Sequence, residues 1–215
     1  NPAVLLYDQM KKEFRLSDMI VVGIHDPTGA SLFTVDRLKR IHKITNDILN
    51  IQIKPPTPLY LKSFFKSLQQ SRTNIPNTND QKKLIVKADV LSPSTVDDII
   101  LNQKNELNVI PLMKNPPKSE TEAQKLLTTI NSNAILRGKL ASQDGSLIGI
   151  FLPLEKGKKG HSYQIGNKIK EIMKRHLIAG ELYYLAGLPI AETTFGTEMF
   201  VQMAIYAPIA GILIF

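Results

Sequence analysis

The sequence predicts an α+β sandwich, and three observations carry that prediction. A short β-branched run at Asp18–His25 (DMIVVGIH) and a short apolar run at Leu182–Ala186 (LYYLA) are bounded by turn residues and read as strands. Two longer segments, 34–50 and 162–177, repeat their apolar residues every three or four positions instead. Asp144-Gly145 separates two further apolar stretches, which is the strongest short hairpin signal. The order is strand, helix, strand, insert, hairpin, helix, strand and a last apolar helix. Two β-α-β units with antiparallel pairing make a sandwich of the ferredoxin-like type.

Each element has its own local reason. Residues 2–14 (PAVLLYDQMKKEF) read as a short helix, with Pro2 in its first turn and Lys11-Lys12 near its end. Strand 18–25 stops at the turn residues Asp26-Pro27-Thr28-Gly29. Val35, Leu38, Ile41, Ile44 and Ile48 then form the apolar stripe of a helix, with Thr34 as N-cap and Arg37, Lys39, Arg40 and Lys43 between them. An extended stretch at 59–68 returns to the sheet after an irregular start at Pro55, Pro56 and Pro58. Residues 70–83 are polar and Asn-rich and read as a mobile loop.

The insert, about 69–134, reads as a helical pair. Ser94-Thr95-Val96-Asp97 resembles a capping box with Asp in place of Glu, opening a helix at 95–108 over Val96, Ile99, Ile100 and Leu107. Asn115-Pro116-Pro117 breaks the chain. Ser119-Glu120-Thr121-Glu122 is a full capping box, leading into a helix at 120–132 that carries Ala123, Leu126, Leu127 and Ile130. Ile135–Ser142 and Ser146–Leu154 read as the two hairpin strands. Lys156-Gly157-Lys158-Lys159-Gly160 reads as an exposed loop, Ser162 as the cap of the second long helix, and Gly187-Leu188-Pro189 as the end of the last strand.

Composition excludes several classes. The 215 residues are 43% hydrophobic and 21% charged, which is not the composition of a disordered chain. Without cysteine there is no disulfide scaffold, thiolate zinc site or cysteine nucleophile. The last 17 residues, Met199 to Phe215 (MFVQMAIYAPIAGILIF), hold no charge. About 20 apolar residues span a bilayer, so this run reads as the start of a membrane helix cut in mid-span. A buried C-terminal helix or strand pair is the other reading. The domain boundaries are accordingly 1–198 and 199–215.

No constellation points to catalysis. His25, His42, His161 and His176 lack metal-ligand spacing, and no phosphate-binding glycine motif occurs. The expectation is a protein that is not an enzyme and carries no metal or cofactor. Lys and Arg number 27 against 19 Asp and Glu, a net charge of +8. Those cations are spread over several elements without an aromatic platform, which argues against nucleic acid as the partner. A membrane surface would suit them.

The order of segments resembles the first extracytoplasmic (porter) loop of the resistance-nodulation-division superfamily, in its single-porter branch of lipid and hydrophobe exporters (MMPL-like and hopanoid-transporter-like). The residues that carry the resemblance are Met19-Ile20-Val21-Val22-Gly23-Ile24 after a helix containing Phe14, and Leu32-Phe33-Thr34 opening helix 34–50. Lys66-Ser67-Leu68, Leu140-Ala141-Ser142-Gln143-Asp144-Gly145 and Tyr184-Leu185-Ala186-Gly187-Leu188-Pro189 complete it. In that family the closing strand runs straight into the second membrane helix, where this chain has its apolar tail.

The resemblance implies a piece of a proton-driven exporter in the cell inner membrane, with this domain facing the periplasm or the cell exterior. Its partners would be a second porter domain, the membrane helices of the same chain, the membrane surface and a hydrophobic or lipid-like substrate. The proton relay of such proteins lies in membrane helices outside this segment. The candidate lining residues of the substrate path are Ile99, Leu126 and Ile130, with hinges at Pro55-Pro56 and Gly187-Leu188-Pro189. The same three side chains could instead pack the helical pair together. Two other readings of the whole remain: a soluble ferredoxin-like module binding RNA or an acidic protein, and a membrane-anchored sensor or assembly subunit.

Overall fold

A computed structural model describes residues 18–52, 85, 89–101, 106–154 and 161–214, together with positions 5, 6, 9, 10 and 13, which are helical and exposed. The expected strand at 59–68, the loop at 70–83, the Pro55-Pro56 hinge and the basic loop at 156–160 lie outside the described residues.

The fold is α+β. Strand β1 (Met19–His25) lies at the centre of a three-stranded sheet, between β4 (Leu147–Pro153) and β5 (Leu182–Ala186), and is antiparallel to both. β4 and β5 therefore run in the same direction with β1 between them, and helix α3 (Ser162–His176) makes the crossover. Alternation decides which face is covered. Ile20, Val22 and Ile24 of β1 and Ile148, Ile150 and Leu152 of β4 are at most 1% exposed. They meet Leu38, Ile41, Ile44 and Ile48 of helix α1 (Val35–Leu49) and Ile165, Ile169, Ile172 and Met173 of α3 in one core. Of the stripes expected for these two helices, all members are buried except Val35 and Leu177, at opposite ends, which are half-buried.

The outer edge of β4 is covered by two short pieces of chain. Leu91 exchanges two backbone hydrogen bonds with Phe151, at 3.0 and 2.8 Å, and Ile85 bridges to Leu154. Leu140 accepts from the Gly149 N–H at 2.9 Å and Ser142 donates to Leu147 at 3.0 Å. Only the end of the expected strand 135–142 is thus paired. Residues 134–140 turn instead, because Asn133 Oδ1 accepts from the N–H groups of both Ile135 and Leu136 just after helix α2 (Glu120–Ser132).

The helix expected at 95–108 is also corrected. Asp97–Leu101 and Leu107–Pro111 are strands β2 and β3 of a separate antiparallel pair, Asp98 opposite Ile110 and Ile99 opposite Val109. The polar residues meant to cap a helix close a turn. The Thr95 hydroxyl donates to Val90 O at 2.6 Å, and the Ser94 N–H donates to Ser92 Oγ at 3.1 Å. Short hydroxyl side chains compete with helical backbone bonding in this way, and the β-branched residues that follow favour a pleated strand. Over its described residues the insert is a strand pair beside one helix, not a helical pair.

Ser119 behaves as expected, its Oγ accepting from the Glu122 N–H at 3.2 Å. Thr34 is the N-cap of α1 but makes no side-chain cap bond; the Val35 N–H donates to Glu120 Oε1 at 3.1 Å instead. Helix α3 begins one residue before its expected start, so that His161 is the N-cap and Ser162 sits in the first turn.

Strand β5 passes directly into helix α4 (Leu188–Ile214) through Gly187. This helix has 27 residues, with Pro189 in its first turn and Pro208 inside it. Its uncharged part, 199–214, rises about 24 Å against a hydrocarbon core of about 30 Å. Among the described residues no helix is long and apolar enough to cross a membrane.

Candidate functional site

The structure separates the three residues expected to line a path. Ile130 is 0% exposed, inside the core that α2 shares with the main sheet. Ile99 lies on β2 and is 57% exposed. Leu126 is buried except for the edge that it turns into an open groove between α2 and the β2–β3 hairpin.

This groove has a volume of about 440 Å³. Its floor is apolar, from Ile110, Pro111 and Leu112 on one wall and Leu126 on the other. Its rim carries Asp98, Glu122 and Lys125. Both carboxylates already have local partners. Asp98 Oδ1 accepts from Asn133 Nδ2 at 3.0 Å, and Glu122 Oε2 accepts from the Lys118 N–H at 2.8 Å. Lys125 has no ion-pair partner among the described residues. Such a site can hold an apolar body and touch a polar end at its rim.

The hairpin wall overlaps the segment 95–108 that the sequence predicts as a helix, so Ile110 and Leu112 are absent from the expected lining. Asp98, Ile110 and Leu112 belong to DDIIL and LNVIPL, two runs of five and six residues whose periodicity alone does not choose between helix and strand.

A second cluster sits at the opposite kind of surface, charged and well ordered. Arg37 and Arg40, one turn apart on α1, hold Asp26 at the end of β1 and Glu181 before β5. Arg37 Nη2 is 2.7 Å from Asp26 Oδ2, and Asp26 also accepts from the N–H and hydroxyl of Thr28. Those hydrogen bonds from Thr28, helped by Arg37, hold the Asp26 carboxyl below the usual carboxylate range. Each charge in this cluster is met by another, and the pairs tie α1 to the sheet ends. Among the described residues no three His, Asp or Glu side chains stand close enough to hold a metal ion.

No family model, curated protein or solved structure matches this chain.

Proposed function

We propose that this chain is the extracytoplasmic porter domain of a proton-driven exporter of the resistance-nodulation-division superfamily, offering part of the path of a lipid or other hydrophobic substrate. The observation that carries the reading is helix α4. From Met199 onward its large side chains are exposed on every side: Met199 51%, Phe200 72%, Val201 48%, Met203 56%, Ile205 52%, Tyr206 64% and Ile209 47%. A helix apolar all round needs a bilayer or a protein around it. It issues from the last sheet strand with no linker, as a domain rooted in a membrane would require. Residues 199–215 are then the start of a membrane helix, in the cell inner membrane, with the sheet domain on the periplasmic or exterior side.

The sheet supports a ferredoxin-like reading of the domain. A central first strand flanked antiparallel by the third and fourth, with a split β-α-β crossover, is the core of that arrangement. The chain around Ile85 and Leu91, bonded along the free edge of β4, takes the place of the second strand. Substrate contact belongs to the groove of Leu126, Ile110 and Leu112, whose floor is apolar and whose mouth is open. No catalytic residue is needed, because a porter supplies a route and draws its free energy from elsewhere.

The test compares the chain with and without residues 199–215. The shorter one stays soluble in plain buffer, and the longer one requires detergent or floats with phosphatidylcholine vesicles. Equal solubility of both without detergent overturns the reading. In the complete exporter, Ile110→Asp should fold and lower export; normal export from a folded Ile110→Asp protein removes the groove from the path.

A further inference from the structure

A smaller groove of about 180 Å³ runs between α3 and the first half of α4. The two helices approach closely here, because Gly166 leaves room for Ile190, whose Cδ1 would stand 3.0 Å from a Cβ at that glycine. Tyr163, Asn167 and Lys170 line the α3 wall, and Thr194 and Glu198 stand on the α4 wall. Thr193 and Thr197, also on that wall, are occupied: their hydroxyls donate to the carbonyls of Pro189 and Thr193 at 2.9 and 2.8 Å. The others are not. Among the described residues Lys170 and Glu198 have no ion-pair partner, whereas Lys168, two positions from Lys170, pairs with Glu171 at 2.7 Å. The groove therefore carries one cation on its α3 wall and one anion on its α4 wall, not paired with each other, and its lining also offers hydroxyl and amide groups.

We infer that this groove binds a phospholipid headgroup carrying both a phosphate and a primary ammonium. The inference rests on the membrane reading of α4. Glu198 is the last charged residue before the uncharged run, so on that reading it marks the level of the bilayer surface. At a rise of about 1.5 Å per residue, Thr194 and Glu198 stand about 7.5 and 1.5 Å before Met199. The polar zone of one leaflet is about 5–7.5 Å deep, so Glu198 lies within the level of the headgroups and Thr194 at its outer limit. Tyr163, with its apolar ring and polar tip, suits that level.

The chemistry selects among headgroups. Phosphate oxygens accept from the Lys170 ammonium and from the Tyr163 and Thr194 hydroxyls. The ethanolamine ammonium, two carbons further on, donates to Glu198. A trimethylated choline cannot donate that hydrogen bond, and a purely anionic headgroup meets the Glu198 carboxylate without a compensating cation. The cavity is smaller than the 300–1,000 Å³ typical of whole-ligand sites, so it admits a headgroup while the acyl chains stay in the bilayer.

The full chain is titrated with phosphatidylcholine vesicles and with equimolar phosphatidylcholine and phosphatidylethanolamine vesicles. The expected result is about tenfold tighter association with the mixture, the size of one charge-assisted hydrogen bond. Lys170→Ala and Glu198→Gln should each abolish the preference while binding phosphatidylcholine as the unaltered chain does. A preference that survives in both variants reports bilayer packing alone and overturns the inference, as does the absence of any preference. Failure to bind either vesicle defeats the membrane reading itself, and the inference with it. Soluble phosphoethanolamine or inorganic phosphate binding as tightly as the mixed vesicles would assign the groove to a free phosphate compound and overturn the lipid assignment.

Discussion

Arg40 and Glu181 meet through two parallel hydrogen bonds of 2.8 Å each, Nη1 to Oε2 and Nη2 to Oε1. The guanidinium fork matches the carboxylate edge, and Glu181 also lies 3.7 Å from Arg37 Nε. The Glu181 side chain is only 3% exposed, while the two arginines are 22% and 21% exposed. One acidic residue before β5 thus fastens the middle of α1, 141 positions earlier in the chain.

Replacing Glu181 by Gln leaves two guanidiniums facing a neutral amide in a nearly closed setting. We expect a loss of about 3 kcal/mol, at the low end for breaking a buried pair because the arginines still reach water. Urea unfolding measures it. Arg40→Lys should lose less, since the charge stays and only the fork is lost. A loss within about 0.5 kcal/mol for Glu181→Gln would show that the pair is no more than a surface contact.

Gly187 has φ +115, and a Cβ built there would overlap the Met19 carbonyl oxygen. Nothing at that position can yield, because Met19 opens the central strand and pairs with Pro153 of β4. Gly187→Ala should cost at least ~2 kcal/mol from backbone strain alone, before the clash is counted. The expected hinge at 187–189 is thus a packed corner. A thermal midpoint equal to that of the unaltered chain would contradict this.

Acid should destabilise the domain through two aspartates. Asp144 accepts from the Ser142 and Ser146 hydroxyls and from the Ser146 N–H, which lowers its pKa to about 2. Asp26 is lowered by Thr28 and Arg37. Both pKa values are lower in the folded state, so the unfolded chain binds more protons across this window. Stability is full above the ordinary carboxylate pKa of about 4 and declines as pH falls toward about 2. Asp144→Asn should flatten part of that slope in urea midpoints taken along the pH series. An unchanged slope would remove Asp144 as a contributor.

Ile130 and Ile99 should respond in opposite ways. Ile130→Ala opens a cavity in the core and should cost about 2–5 kcal/mol, and Ile130→Asp should not fold. Ile99→Asp, on the exposed face of β2, should stay within about 0.5 kcal/mol of the unaltered chain. Circular dichroism melts of the three variants decide it. A large loss from Ile99→Asp would mean that something covers the hairpin.

The sequence by itself determined the elements whose signals are local and repeated. The stripe of α1 and that of α3 run over several turns, so a 3.6-residue period is unmistakable in each. Ser119 caps α2 through an atom three residues away, and β1 and β5 are β-branched or aromatic runs with turn residues at their ends. Even the route of β5 into an apolar helix is written in consecutive residues. Tertiary structure alone decided the hairpin at 97–111 and the register of the sheet. A five-residue apolar run is equally compatible with helix and strand, and only its pairing partner chooses between them. The same holds for polar contacts: the Val35 N–H finds Glu120 across 85 positions, and Arg40 finds Glu181 across 141. A spacing of three or four residues is set by helical geometry, but contacts at such separations exist only once the core has brought the elements together.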